Sequence, residues 1–356
     1  MQNYLKSKIL QSPSQQITYA DFIHEALYHP MMGYYMRESE KVGRAGDFIT
    51  TSNISDIYGK VIARWFAKLV EEKGIFPAVL EIGAGNGRFA KSFIEEWKQI
   101  EEKPLQYLIL EASPDHQKRQ QEIIHFDENI KQAASLADFK SFKGMVFSNE
   151  LFDALPVHVI EKHHNQIMEV MIAVEENELV EKLVPLKNEA ILNFIERNAL
   201  KLQDGQRIEI PLAMLDLVKN IAKTLDQGII VTVDYGYTNK EWMEPMHKEG
   251  SLRGYHKHRQ WNDVLKLPGE MDITSHVHFD SLIRAGEEEG LCFYKKMRQD
   301  EFFLSIGLLE ELQTHADPNP FSEVSRRNRA IRSLIMPDGI SSFFHVIIQL
   351  KGIDEI

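Results

Sequence analysis

From Ala78 onward, short apolar runs alternate with stretches at helical spacing, and this alternation admits few folds. Ala78-Val-Leu-Glu-Ile-Gly precedes a helical stretch from Arg88 to about Glu101. Gln106-Tyr-Leu-Ile-Leu-Glu precedes a polar helix from Pro114, with proline where a first helical turn accepts it. Ile130-Lys-Gln-Ala and Gly144-Met-Val-Phe-Ser continue the series, and Gly228-Ile-Ile-Val-Thr-Val-Asp is its most strand-like member. Near-continuous apolar strands separated by helices predict a parallel sheet covered on both faces, a doubly wound α/β core.

The flanking segments read differently. The first 75 residues are expected to be mainly helical. Thr18 caps one helix, Gly43-Arg-Ala-Gly-Asp-Phe-Ile-Thr-Thr-Ser is a glycine-punctuated loop, and Ile57, Val61, Ile62, Trp65, Phe66 and Leu69 mark a second helix. Val157–Ile160, Ile167–Val174 and Leu179–Val184 predict an antiparallel insertion. Helices are expected over about 188–202 and 212–226, with a short strand Gln206–Ile210 between them. Cys292–Ile306 and Ser341–Lys351 are read as the last strands of the sheet. The expected organisation is a helical segment over 1–75 that contributes to the ligand site, a core over 76–155 and 205–356, an insertion over 156–204, and cap loops over 237–280 that cover an acceptor cleft.

Composition excludes several functions. The 43% hydrophobic residues can bury a real core. One cysteine, Cys292, permits neither an internal disulfide nor a zinc site built on two thiolates. A net charge of -12 opposes non-specific binding to nucleic acid or an anionic membrane. With no apolar run near bilayer length and no signal-like N-terminus, the expectation is a soluble cytoplasmic protein that binds neither.

Chemistry concentrates at Glu81-Ile-Gly-Ala-Gly-Asn-Gly-Arg88, between a strand and a helix. Gly83, Gly85 and Gly87 permit a tight turn and close approach of a ligand at the carboxyl edge of the sheet. A dinucleotide fingerprint places its third glycine where this chain has Arg88. The observed G-x-G-x-G spacing, with an acid two places before it, resembles motif I of the class I S-adenosylmethionine (SAM) methyltransferases. Glu111, ending the next strand, could accept hydrogen bonds from both ribose hydroxyls of a nucleoside. Nicotinamide enzymes place an acid similarly, so Glu111 alone leaves the two cofactors open; the glycine spacing favours SAM. Ser148-Asn-Glu-Leu-Phe-Asp-Ala-Leu-Pro156 follows the fourth apolar strand, whose end carries the acceptor chemistry in such an architecture. A protonated guanidinium is a poor nucleophile, and a carboxylate can hold its charge on one side while another nitrogen attacks. Glu150 is the candidate for that role, then Asp153, with Asn149 orienting the acceptor; the alternative is that both acids cap a following helix. Tyr235 or Tyr237 could wall the acceptor channel or simply pack at a strand end. Asp272 and His276 are read as lining the acceptor cleft, His276 as a proton acceptor or a structural histidine. The pairs His256-Lys-His258 and His276-Val-His278 lack a supporting carboxylate spacing, so no metal is expected.

Several segments together carry a wider resemblance: Leu27-Tyr-His-Pro-Met-Met-Gly-Tyr-Tyr, Gly46-Asp-Phe-Ile-Thr-Thr-Ser, Leu80-Glu-Ile-Gly-Ala-Gly-Asn-Gly, Glu111-Ala-Ser-Pro, Ser148 to His158, Val233-Asp-Tyr-Gly-Tyr, Ser251-Leu-Arg-Gly-Tyr and Pro268-Gly-Glu-Met-Asp-Ile-Thr-Ser-His-Val. In motif order, from about residue 20 to 300, the chain resembles the MidA / NDUFAF-seven family of SAM-dependent methyltransferases. The resemblance implies a class I SAM methyltransferase (Rossmann-like) fold and, from mitochondrial members, symmetric ω-N dimethylation of arginine in a protein substrate, a respiratory complex I subunit. It implies that Asp47, Phe48 and Thr50 approach the cofactor, beside Glu81, Gly83, Ala84, Gly85, Gly87, Glu111, Ala112, Ser148 and Asn149. Ala84 and Asn86 stand where family members often carry proline or arginine, and His278 where the family has an acid. Alternative readings are a non-catalytic SAM-binding assembly factor and a methyltransferase acting on a small molecule.

Overall fold

The computed structural model describes residues 1–38, 56–133, 135–139, 141–312, 319, 322–336 and 343–356 of the chain. These fall into two units, one of residues 49–151, 219–235 and 286–356, the other of 1–48, 152–218 and 236–285.

The first unit is built on a twisted sheet of strands β1 (Ala78–Ile82), β2 (Gln106–Leu110), β3 (Ile130–Ala133), β4 (Phe142–Asn149), β5 (Leu225–Tyr237, the last two residues belonging to the other unit), β6 (Cys292–Arg298) and β7 (Phe344–Lys351). Their order is β6-β7-β5-β4-β1-β2-β3. Strands β3, β2, β1, β4 and β5 are mutually parallel, whereas β7 runs antiparallel to β5 and to β6. The order reverses between β1 and β4, and such a switch point opens a crevice at the carboxyl ends of the strands. This is the doubly wound class I methyltransferase sheet expected from the sequence. Register sets the edge: Ile82 lies opposite both Leu110 and Ser148, and Asn149 opposite Val233. The residues that follow, Gly83, Glu111 and Glu150, therefore leave the sheet along one edge.

Helices cover this sheet because their apolar residues recur at helical spacing. In Arg88–Ile100, Phe89, Phe93 and Trp97 form one buried stripe, and Phe89 stacks on Phe147 of β4 at 4.3 Å and 8°. The helix Ile57–Lys73 buries Val61, Ile62, Phe66 and Val70 in the same core. Ser113 caps Pro114–Ile123 by accepting from the His116 N–H. Apolar residues after Arg298, read from sequence as a continued strand, instead form the helix Gln299–Ser305. Arg298 pairs there with Asp300, and Phe302 and Phe303 turn into the core. The basic stretch Arg326–Arg332 lies in the helix Glu323–Ile335, where Ile331 is buried and Arg327 pairs with buried Glu311.

The second unit holds the antiparallel insertion. Its long strand Gln166–Glu175 pairs with Glu178–Pro185 on one edge. On the other edge it pairs with His158–His163 over its first half and with Gln16–Thr18 over its second. The helix Tyr19–Tyr28 starts in a capping box of Thr18 and Asp21, as the threonine predicted, and packs Phe22, Ile23, Ala26 and Leu27 into this unit's core. Residues 237–280 contain a three-stranded antiparallel sheet, Arg259–Trp261, Arg253–His256 and Asp272–Thr274. No helix among the described residues is long and apolar enough to cross a membrane.

Phe147 is wholly buried at the centre of the sheet. Phe147→Ala is expected to cost about 3–5 kcal/mol, read as a lower urea midpoint with an unchanged slope.

Candidate functional site

The turn after β1 is held by its neighbours and by Asn86 within it, whose Oδ1 accepts from the Arg88 N–H at 3.2 Å. Gly83, Gly85 and Gly87 all take positive φ (75°, 53° and 81°), which other residues adopt only with strain. The Gly83 N–H donates to the Leu110 carbonyl at 2.8 Å, and Gln120 donates to the Gly85 carbonyl at 2.7 Å. A Cβ on Gly87 would meet Gln120 at 2.8 Å, whereas one on Gly85 would enter open space. The loop is thus tight behind and open in front. Ala84 is buried beneath it.

Glu111 is tied to this loop. Its Oε2 accepts from the Gly85 N–H at 2.7 Å and its Oε1 from the Ser113 N–H at 2.8 Å. Each oxygen keeps a further lone pair, so two hydroxyl donors can still be accepted, as a ribose presents them. Ala112 beside it is exposed. Glu81 is buried, and the Tyr107 hydroxyl donates to it at 2.7 Å. Burial, with Glu111 adding to it and the Tyr107 hydrogen bond opposing, pushes the Glu81 carboxyl up to about 8.

At the end of β4, Ser148 is buried and a hydrogen-bonded chain begins. The Tyr58 hydroxyl donates to Asn149 Oδ1 at 2.8 Å, and Asn149 Nδ2 donates to Glu150 Oε1 at 3.0 Å. Glu150 takes φ 51°, rare for a residue with a side chain, and its N–H is held by the Val233 carbonyl at 2.9 Å. Backbone strain of this kind costs about 1–3 kcal/mol and often marks a working position. The helix that Glu150 and Asp153 might have capped does not form: residues 152–155 turn, and a strand follows at His158.

Asp153 and His276 lie in the other unit. The Asp153 side chain is buried, and its carbonyl accepts from the Ser275 N–H at 2.9 Å. His276 lies flat on Tyr237 at 4.5 Å and 7°. Burial, with His247 and Arg253 nearby, pushes its imidazole down to about 4. His278 is fully buried against Trp242, its Nε2 hydrogen-bonds the Glu209 carbonyl at 2.8 Å, and burial pushes it down to about 3. Asp272 accepts from the Tyr35 hydroxyl at 2.6 Å. Tyr235 packs edge-on against Phe344. Asp47, Phe48 and Thr50 lie outside the described residues. Within the first unit the structure gathers Glu81, Gly83, Gly85, Glu111, Asn149 and Glu150 at the aligned strand ends. Tyr58, Tyr107 and Gln120 were missed from sequence. Tyr107 reaches Glu81 because it lies two residues before Ile109, the register partner of Glu81, and so shares its face of the sheet.

A family model described as "Putative S-adenosyl-L-methionine-dependent methyltransferase" matches residues 61–296. The chain is 25% identical to protein arginine methyltransferase NDUFAF7, mitochondrial, of Danio rerio, over 96% of this chain and 84% of that protein. Its Mus musculus counterpart is 26% identical over 85% of this chain and 73% of its own length. A crystal structure of a "likely methyl transferase" from Burkholderia thailandensis, bound to S-adenosyl-homocysteine, matches with TM-score 0.89 and 25% identity over 99% of this chain and 92% of that one. The expectation of a cytoplasmic protein is corrected by these relatives, which are named as mitochondrial. The open face at Gly85 and the spare lone pairs of Glu111 fit an adenosyl cofactor.

Acid stability follows from the buried rings. Both are neutral when folded, while the unfolded chain takes up protons below about 6.5, so their contribution is complete above that pH and is lost as pH falls toward 4 and, for His278, 3. Each ring contributes up to about 1.4 kcal/mol per pH unit. Urea unfolding of His278→Gln between pH 6 and 4 should be shallower in pH by about that amount; an unchanged slope would contradict the burial argument.

Proposed function

The chain belongs to the S-adenosyl-L-methionine-dependent methyltransferase family, and from that premise we propose that it methylates the guanidinium of arginine in a protein, with symmetric ω-N dimethylation as the product. The bound cofactor supplies the methyl group, on a sulfonium. The observation that carries the arginine reading is the Tyr58–Asn149–Glu150 chain at the end of β4. A guanidinium stays protonated at neutral pH and attacks poorly. Asn149 and the strained backbone hold the Glu150 carboxylate in one orientation, where it can take two N–H donors side by side and concentrate positive charge on that side. The relatives named as arginine methyltransferases support the same substrate class.

Glu111 and the loop from Gly83 to Gly87 bind the nucleoside in this reading, with Glu81, Ala84, Ala112 and Ser148 around it. Asp47, Phe48 and Thr50 are proposed as further cofactor contacts on the sequence resemblance alone. Asp153 and His276 are proposed as acceptor-side groups on the reading of their own sequence positions; burial pushes the His276 imidazole down to about 4, which leaves it neutral and a weak base at pH 7.

The test is incubation of the purified chain with methyl-labelled SAM and a host-protein extract, followed by hydrolysis and amino-acid analysis. Label in symmetric dimethylarginine supports the proposal. Glu150→Gln should lower the rate by about 10²- to 10⁴-fold while SAM binding is retained. Tyr58→Phe, which loses one link of the chain, should lower it about tenfold. Full binding of SAM with label in another residue, or in none, would overturn arginine as the acceptor and favour a non-catalytic SAM-binding role or another substrate.

A further inference from the structure

Away from the strand ends, the first unit holds a cavity of about 250 Å³. Its apolar lining is Val61 and Ala67 of the helix Ile57–Lys73, with Ile100 and Ile306. Ile100 is 40% exposed, so part of this lining meets water. Arg64 also lines the cavity, but its charge is already matched. It pairs with buried Glu96 at 2.6 Å and with Glu311, a buried lining residue that takes Arg327 as well. The remaining lining charges, Lys68, Glu71, Glu101 and Glu310, form no ion pair among the described residues. Three unmatched carboxylates therefore accompany one unmatched ammonium. The helix Arg88–Ile100 also ends here, and the carbonyl end of a helix favours positive charge. No group of three acids among the described residues is placed to hold a metal ion. Charge and apolar lining together suit an organic cation on an apolar stem.

We propose that this cavity docks a lysine or arginine side chain of the protein substrate, at a point apart from methyl transfer. The stem of that side chain lies along Val61, Ala67, Ile100 and Ile306, and its head meets Glu71, Glu101 and Glu310. The volume is below the roughly 300–1,000 Å³ of sites for drug-sized ligands, which suits one side chain and not a whole cofactor. The helix Arg88–Ile100 starts at the glycine loop and spans 13 residues, so the cavity is about 20 Å from that loop. A substrate segment reaching from that edge of the sheet to the cavity needs at least about six extended residues. Glu71 and Glu310 are exposed, so each attracts a cation weakly and a free amine is held loosely. The same side chain on a protein already engaged at the end of β4 gains from its effective concentration. The inference rests on the protein-arginine reading above.

Methyl NMR of the full chain, labelled at isoleucine, makes Ile100 and Ile306 reporters inside the cavity. The probes are Nα-acetyl-lysine amide and Nα-acetyl-arginine amide, with Nα-acetyl-norleucine amide as the neutral control. Both basic amides should move the Ile100 and Ile306 signals, and the control should not. The triple variant Glu71→Gln/Glu101→Gln/Glu310→Gln removes only carboxylates without ion pairs, so the fold is kept. It should weaken both basic amides at least about tenfold. Lys68→Gln removes the competing ammonium and should tighten them by up to about fivefold. With methyl-labelled SAM and dilute host extract, the triple variant should form labelled dimethylarginine about tenfold more slowly. That gap should close as the extract is concentrated, because docking acts on substrate binding and not on transfer. Unmoved methyl signals, equal shifts from the norleucine amide, or wild-type labelling by the triple variant at every dilution would each overturn the docking pocket. No labelled dimethylarginine from the wild type would instead overturn the arginine reading, and with it the methylated protein as occupant.

Discussion

The parallel register of β2, β1, β4 and β5 is the constraint on which the site depends. Because Leu110, Ile82, Ser148 and Thr232 lie in one row across the sheet, the chain leaves each strand at the same level. A slip of one residue in any pair would turn that strand's side chains to the opposite face. Glu111 would then lose the Gly85 amide, and Tyr107 would face away from Glu81. The apolar content of these strands opposes such a slip, since Val79, Tyr107, Ile109, Met145, Phe147, Val231 and Val233 fill one core. Packing therefore sets the geometry of groups that do not themselves pack.

The polar groups at this edge show what such a scaffold makes possible. Glu111 is satisfied by two backbone amides and keeps acceptor capacity. Glu150 is aimed by an amide that is itself aimed by a phenol, at the expense of a strained backbone. Glu81 is buried against a phenol, and no basic side chain among the described residues acts on it. Three carboxyls within a few residues of aligned strand ends thus have three different environments, which is how one chemical group is given separate tasks.

Much of this was legible in the chain. The glycine spacing, the acid ending the second apolar run and the Asn149-Glu150 pair are local patterns, and each lies at the strand edge as expected. The run Cys292–Ile306 misled because apolar residues alone do not separate a strand from a helix; the pairing of Arg298 with Asp300 at a helix start decides it. Tyr58 carries no signal, since it reads as one more residue of an amphipathic helix.

The sequence by itself determined the alternation of strands and helices, the tight turn and the acid that follows it, because those depend on the steric and hydrophobic properties of neighbouring residues. Only the tertiary structure decided that Tyr107 belongs to Glu81 and Tyr58 to Asn149. Those partners are 26 and 91 residues apart, and they meet through the register of parallel strands and the packing of a helix on the sheet. No short-range spacing encodes that meeting; long-range burial of apolar surface does.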